Sequence, residues 1–229
     1  IMSHGRPSQG SAIIGLPTTL MVIWSFHIQS YLLWIVALFF CLVLTLMVEI
    51  IRHPGDWMRS FWQVMTTLGG VFYVGMAGAV LVAIRSIEPA GVIWLFAVFG
   101  ITWGTDTFAY IGGRLLGRHK LWPRLSPKKT VEGAIIGALG GTLTAGVVLA
   151  QGELLDTLNL IIILIAPLFA IAGDLFESGM KRFFRIKDSG LQGLNVLPGH
   201  GGVLDRIDAL IWVADFFFLY LLLRGIYVF

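Results

Sequence analysis

Residues 178–223 read SGMKRFFRIKDSGLQGLNVLPGHGGVLDRIDALIWVADFFFLYLLL. The first part is cationic and rich in turn formers: Lys181, Arg182, Arg185 and Lys187 precede Asp188 and the run Pro198-Gly199-His200-Gly201-Gly202. The second part, 203–223, is an apolar run of about 21 residues, long enough to cross the ~30 Å hydrocarbon layer of a bilayer. Its first turns carry Asp205, Arg206 and Asp208, so polar chemistry is brought to a membrane surface. Ionisable groups at that depth are costly and are usually paired, metal-bound or reached by water. At a spacing of three, Asp205 and Asp208 share one face of a helix, which suits two carboxylates holding one divalent cation. Hydrated interfacial charges are the plainer alternative.

The rest of the chain has the same character. Of its 229 residues 57% are apolar and 13% charged, about half the charge of an ordinary soluble domain. The apolar residues fall in runs of bilayer-crossing length. The expected fold is therefore all-α, a polytopic transmembrane helical bundle of about seven spans. They are placed at 11–26, 28–51, 61–84, 91–111, 134–150, 158–175 and 203–223. The chain, 1–229, reads as a single integral membrane domain. Within it, 11–112 holds N-terminal spans, and 113–229 holds the basic loops and the C-terminal spans that carry most of the site. The opening Ile-Met, with no cleavable leader before the first run, reads as an internal start with spans upstream. Cys41 stands alone inside an apolar run, which excludes a disulfide framework or thiolate cluster and leaves an inert thiol.

Several residues inside or beside the spans call for an explanation. Glu49 is close enough to the end of its span to reach the interface. Gly69, Gly70, Gly75 and Gly78 strip one flank of side chains and permit close helix approach. Asp106, in WGTDTFAY, lies deeper than the other carboxylates and requires a partner, a metal or a water-filled cavity. Asp174 closes the sixth span, with Glu177 and Ser178 just beyond it. Asp215, two turns past Asp208, either pairs across the bundle or extends a polar path.

A second informative loop, 112–133, reads GGRLLGRHKLWPRLSPKKTVEG. It gathers Arg114, Arg118, Lys120, Arg124, Lys128 and Lys129 against Glu132 alone. Topology explains cations in a cytoplasmic loop. It does not explain the glycines or the turn Ser126-Pro127-Lys128-Lys129-Thr130, whose hydroxyls, amides and ammonium groups suit phosphate oxygens. The glycine spacing matches neither a dinucleotide fingerprint nor a P-loop. Both readings stand at this point. Basic residues concentrate after spans two, four and six, while the opposite connections hold little beyond Arg85. The positive-inside rule makes those three loops cytoplasmic and places Asp106, Asp174, Asp205 and both basic loops near one face. Hard oxygen ligands there suit Mg²⁺ shared with substrate phosphates. Cations nearby would neutralise phosphoryl charge, so the arrangement suggests phosphoryl or nucleotidyl transfer on a lipid-borne substrate. A transporter or channel would spread its carboxylates through the membrane depth instead.

The sequence resembles the phosphatidate cytidylyltransferase (CDP-diacylglycerol synthase) family. The resemblance rests on Ser178, Lys181-Arg182, Lys187-Asp188, Leu197-Pro198, His200-Gly201-Gly202, Asp205-Arg206 and Asp208, with WGTDTFAYIGGRLLGRHKL and LSPKKTVEG before them. It implies transfer of CMP from CTP to phosphatidate, with release of pyrophosphate and a requirement for Mg²⁺. Asp174, Asp205 and Asp208 would be metal ligands. Asp106, Lys181, Arg182, Asp188 and His200 would belong to the catalytic centre. Ser126, Lys128, Lys129, Thr130, Ser178, Lys187 and Arg206 would face the substrates. The partners implied are CTP, phosphatidate, membrane lipids and a second copy in a homodimer, with no nucleic acid. The expected location is a bacterial plasma membrane, with the site facing the cytoplasm. One departure is local: Leu191 to Val196 stand where the family's pattern has about two residues, so the loop between Asp188 and His200 is longer by about four, which costs little to close. That bears on which lipid phosphate is used, a paralogue's substrate being the alternative. A CTP-dependent lipid kinase would release CDP rather than pyrophosphate.

Overall fold

The computed structural model describes residues 11–183 and 207–226. These form seven helices and one hairpin. The helices are α1 (Ala12–His27), α2 (Tyr31–Arg52), α3 (Trp57–Arg85), α4 (Gly91–Leu116), α5 (Val131–Gln151), α6 (Thr157–Phe183) and α7 (Asp208–Leu223). Between α4 and α5 lies an antiparallel hairpin of β1 (Lys120–Trp122) and β2 (Ser126–Thr130). Helices α2 to α6 are each long and apolar enough to cross a membrane, and α1 is a shorter apolar helix. The outward faces carry residues a soluble protein would bury. On α5, Ile135, Leu139, Leu143 and Val147 make one exposed row four residues apart. An all-helical membrane bundle is what this sequence builds.

The chain divides into two compact units between Ser86 and Ile87. In the first, α1 packs on α3, and α2 packs on both. Gly75 and Gly78 meet α1: a Cβ on Gly78 would lie 2.6 Å from the Ile23 side chain. Gly69 and Gly70 face open space instead, so only half of that glycine set serves packing. Glu49 is buried rather than extended to the interface, and Cys41 is buried as expected. An apolar groove of about 620 Å³ between α1, α2 and α3 carries no carboxylate or ammonium group.

The second unit holds α4 to α7 and the hairpin. Its centre is a close antiparallel pair, α4 against α5, made possible by missing side chains. A Cβ on Gly137 would sit 2.6 Å from the Thr105 carbonyl oxygen, and one on Gly133 would sit 2.8 Å from that of Ala109. Helices in lipid gain little from hydrophobic transfer and associate through such close packing. Trp94, Val98, Ile101, Leu149, Ile163 and Phe217 fill the fully buried interior.

Pro167 interrupts α6 and has no N–H to give the carbonyl of Ile163. Thr142 on α5 donates its hydroxyl to that carbonyl at 2.9 Å, which satisfies it across the helix pair. At the end of the unit away from the hairpin, Asp156 caps α6 by accepting from the Asn159 N–H at 2.7 Å. Tyr220 of α7 donates to the Asn159 side chain, and Arg224 reaches both Tyr220 and Asp156.

Helices α4 and α6 outrun the spans expected from hydropathy. The expected ends are 111 and 175, whereas the helices continue to Leu116 and Phe183, so Arg114, Ser178, Lys181 and Arg182 are helical residues rather than loop residues. The expected seventh span, 203–223, is described from Asp208 onward.

Candidate active site

Along α4, Asp106, Tyr110 and Arg114 recur every four residues and so line one face. That face borders a cavity of about 420 Å³, completed by Lys128, Lys129 and Thr130 and, from α6, by Asp174. The volume is that of an ordinary small-molecule site. The hairpin brings the lysines to it. Its turn, Trp122 to Leu125, carries Pro123 at the position where a fixed φ favours reversal. The Leu125 side chain then reaches α6, 3.9 Å from where a Cβ on Gly179 would stand.

Glu132 fixes the hairpin to the first turn of α5. Its carboxylate accepts from the backbone N–H of Arg118 at 3.0 Å and of His119 at 3.2 Å, and it contacts His119 Nδ1 at 2.6 Å. The sole acid of the basic loop is thus spent on backbone amides rather than on the loop's ammonium and guanidinium groups. An acid in the first turn also complements the helix dipole. Thr130 is the N-cap of α5, its oxygen accepting from Gly133 N–H at 3.2 Å, so its substrate role would rest on the remaining hydroxyl proton.

Acidic and basic groups stand together at and beside the cavity. Lys129 forms an ion pair with Asp174, both side chains less than a third exposed. Asp208, the first residue of α7, is buried, and its Oδ1 accepts from the Ala209 N–H at 2.8 Å. Asp106, Asp174, Asp208 and Lys129 lie within electrostatic reach of one another. Carboxylates from three helices therefore share one polar region with a lysine among them. Among the described residues no three His, Cys, Asp or Glu side chains form a group ready to hold a metal ion. The donor set is nonetheless hard oxygen, the chemistry Mg²⁺ prefers, and an ammonium already stands against one of the carboxylates.

The other residues singled out from the sequence divide three ways. Lys181 pairs with the buried Glu177 one turn earlier, at 2.6 Å, while Ser178 is half-buried and Arg182 exposed on the same helix end. Ser126 pairs with Trp122 across the hairpin and does not line the cavity. Lys187, Asp188, His200, Asp205 and Arg206 lie outside the described residues. Asp215 is exposed on α7 and has no ion-pair partner among the described residues, so pairing across the bundle is not found there.

Three lining residues with polar side chains are not among the expected site residues: Tyr110, Arg114 and Thr105. Arg114 donates to the Tyr110 hydroxyl at 3.3 Å. Thr105 has a buried hydroxyl without a hydrogen-bond partner among the described residues. The signal for the first two was the four-residue period from Asp106, legible once α4 is carried past residue 111.

Comparison with known proteins accords with this geometry. The sequence pattern of the cytidylyltransferase family matches residues 4–224. The chain is similar to the phosphatidate cytidylyltransferase of Staphylococcus haemolyticus (strain JCSC1435), 43% identical over 156 residues, covering 67% of this chain and 57% of that protein. It is 39% identical over 153 residues to the phosphatidate cytidylyltransferase of Bacillus subtilis (strain 168), covering 66% and 55%. The one from Brucella abortus biovar 1 (strain 9-941) is 43% identical over 156 residues, covering 66% and 55%. The chain thus spans a little over half the length of these relatives. The family pattern runs through every described helix and both sides of the carboxylate-lined cavity, and on that extent the chain belongs to the cytidylyltransferase family.

Proposed function

We propose that this protein transfers the cytidylyl group of CTP to phosphatidate, forming CDP-diacylglycerol. A phosphate oxygen of phosphatidate attacks the α-phosphorus of CTP, the α–β phosphoanhydride bond breaks, and pyrophosphate leaves. The observation that carries the reading is the convergence of Asp106, Asp174, Lys128 and Lys129 on one cavity at the end of bilayer-length helices. A triphosphate needs cations and a metal at that place, and a diacyl lipid needs the apolar helices beside it. Its relatives in Staphylococcus haemolyticus and Bacillus subtilis are phosphatidate cytidylyltransferases, which favours the same chemistry.

Mg²⁺ would be held by Asp174 and Asp208 together with Asp205, and would supply charge neutralisation of the phosphates. Lys128 and Lys129 would bind phosphate oxygens, and Arg114 would add a guanidinium at the rim. Asp106 would keep the cavity polar and organised. As proposed, the protein works as a homodimer in a bacterial plasma membrane, with the cavity facing the cytoplasm.

The test is incubation of the purified protein in detergent with CTP labelled at the α-phosphate, phosphatidate and Mg²⁺, beside Asp174→Asn. Label in the lipid fraction with equal pyrophosphate release, lost in the variant and on chelation, is the expected result. Release of CDP instead would mark a lipid kinase. Labelling only with another lipid phosphate would overturn the substrate and retain the reaction.

A further inference from the structure

The β1–β2 hairpin has two different sides. Side chains alternate along a strand, and in β1 the middle residue, Leu121, lines the cavity. Lys120 and Trp122 do not line it and are exposed, Trp122 to 52%, and they make the outer side. Just before them in the chain, at the end of α4, Leu115 and Leu116 are 74% and 60% exposed. Arg118 and Arg124 are exposed alongside. The positive-inside rule accounts for the cations and leaves the two leucines and the tryptophan unexplained.

Length supplies the missing piece. Helix α4 has 26 residues, about 39 Å of helix, which exceeds the ~30 Å hydrocarbon layer. Centred in a bilayer, a helix of that length puts its last turn, and with it the hairpin that follows, at headgroup depth. Tryptophan is favoured at that depth, where an apolar ring meets a wet boundary. Lys and Arg near an anionic surface are attracted to it, and the attraction weakens with salt. Glu132, the one carboxylate in this stretch, is occupied by the Arg118 and His119 amides.

We infer that the outer side of the hairpin, with Trp122, Leu115 and Leu116 as apolar contacts and Arg118, Lys120 and Arg124 as cations, is a docking surface for anionic phospholipid headgroups of the bilayer around the protein. It is distinct from the cavity on the inner side and independent of the transfer chemistry.

The experiment uses the full chain in nanodiscs. An environment-sensitive fluorophore is attached at Trp122→Cys in a Cys41→Ser background, and brominated lipids act as quenchers. A second probe at Leu116→Cys gives an independent reading should the first variant fold poorly. Quenching should be stronger in phosphatidylglycerol-containing discs than in pure phosphatidylcholine, and the difference should fall at high salt. The triple replacement Arg118→Gln, Lys120→Gln, Arg124→Gln should abolish the difference at both probes. Equal quenching in the two membranes, or none in either, overturns the proposal. A response to CTP in place of anionic lipid also overturns it and assigns these cations to the nucleotide.

Discussion

Gly173 of α6 lies so close to the carbonyl oxygen of Asp208 that a Cβ on the glycine would stand 2.9 Å from it, with Trp212 closing the other side at 2.8 Å. The neighbour of Gly173 is Asp174, so this contact brings the carboxylates of two helices to one place. Gly173→Ala must push α7 away or distort it, at a cost of about 1–3 kcal/mol for overpacking. We expect a lower thermal midpoint in detergent and a larger proportional loss of the proposed CMP transfer. An alanine variant with unchanged midpoint and rate would contradict the close seam.

Lys129 should matter more to chemistry than to stability. Its pair with Asp174 borders the cavity, where water can solvate the carboxylate left behind, which limits the loss to about 1 kcal/mol. Lys129→Met is expected to leave the unfolding midpoint nearly unchanged while cutting transfer at least tenfold, with binding of CTP weakened in parallel. Calorimetry and initial rates on the same preparation separate the two effects. A large fall in midpoint at full activity would assign the pair to folding instead.

Asp156 gives a pH dependence outside the membrane spans. The Asn159 N–H, and after it Arg224, hold its carboxyl below the ordinary value of 3.8. A depressed folded value means that the contribution is complete above the ordinary value and is lost as pH falls through the folded one. Asn can still cap a helix, so Asp156→Asn removes the charge and keeps the cap. The wild-type advantage in midpoint over this variant is expected at neutral pH and should shrink below pH 3.8. An advantage that grows on acidification would reverse the sign.

Thr142→Val strands the Ile163 carbonyl, whose usual donor is missing at Pro167. Loss of a buried hydrogen bond of this kind costs about 1–2 kcal/mol. Thr142→Ser, which can remake the bond, should recover most of the midpoint. Failure of serine to do better than valine would tie the effect to the methyl group and its packing.

Hydropathy located the helices because lipid-facing segments must be apolar along their length, and the runs around Ile14, Leu44, Val98 and Leu164 obey that rule. It misplaced the ends of α4 and α6, since a helix ladder continues through polar residues wherever the backbone remains bonded. Around Lys181 an i,i+4 pair with Glu177 supports that continuation. The hairpin was read as a glycine-rich loop because its strands are short and Pro123 and Pro127 interrupt any alternation. Asp106 was legible as a charge that lipid would not tolerate alone, Asp174 as a carboxylate at the end of a span and Lys129 as a loop cation suited to phosphate. Tyr110 and Arg114 were not, because each is unremarkable until the face it shares with Asp106 is known. The Gly173 contact depends on how two distant segments cross, which no local pattern records.

Pro167 and Asp174 are two helical turns apart, a separation of about 10 Å along α6. A tilt of about 20° at the proline would swing Asp174 sideways by roughly 3–4 Å, more than any hydrogen bond or metal ligand tolerates. The hydroxyl of Thr142 holds that pivot shut. The aim of a carboxylate two turns away would thus depend on a single threonine bonded at the proline.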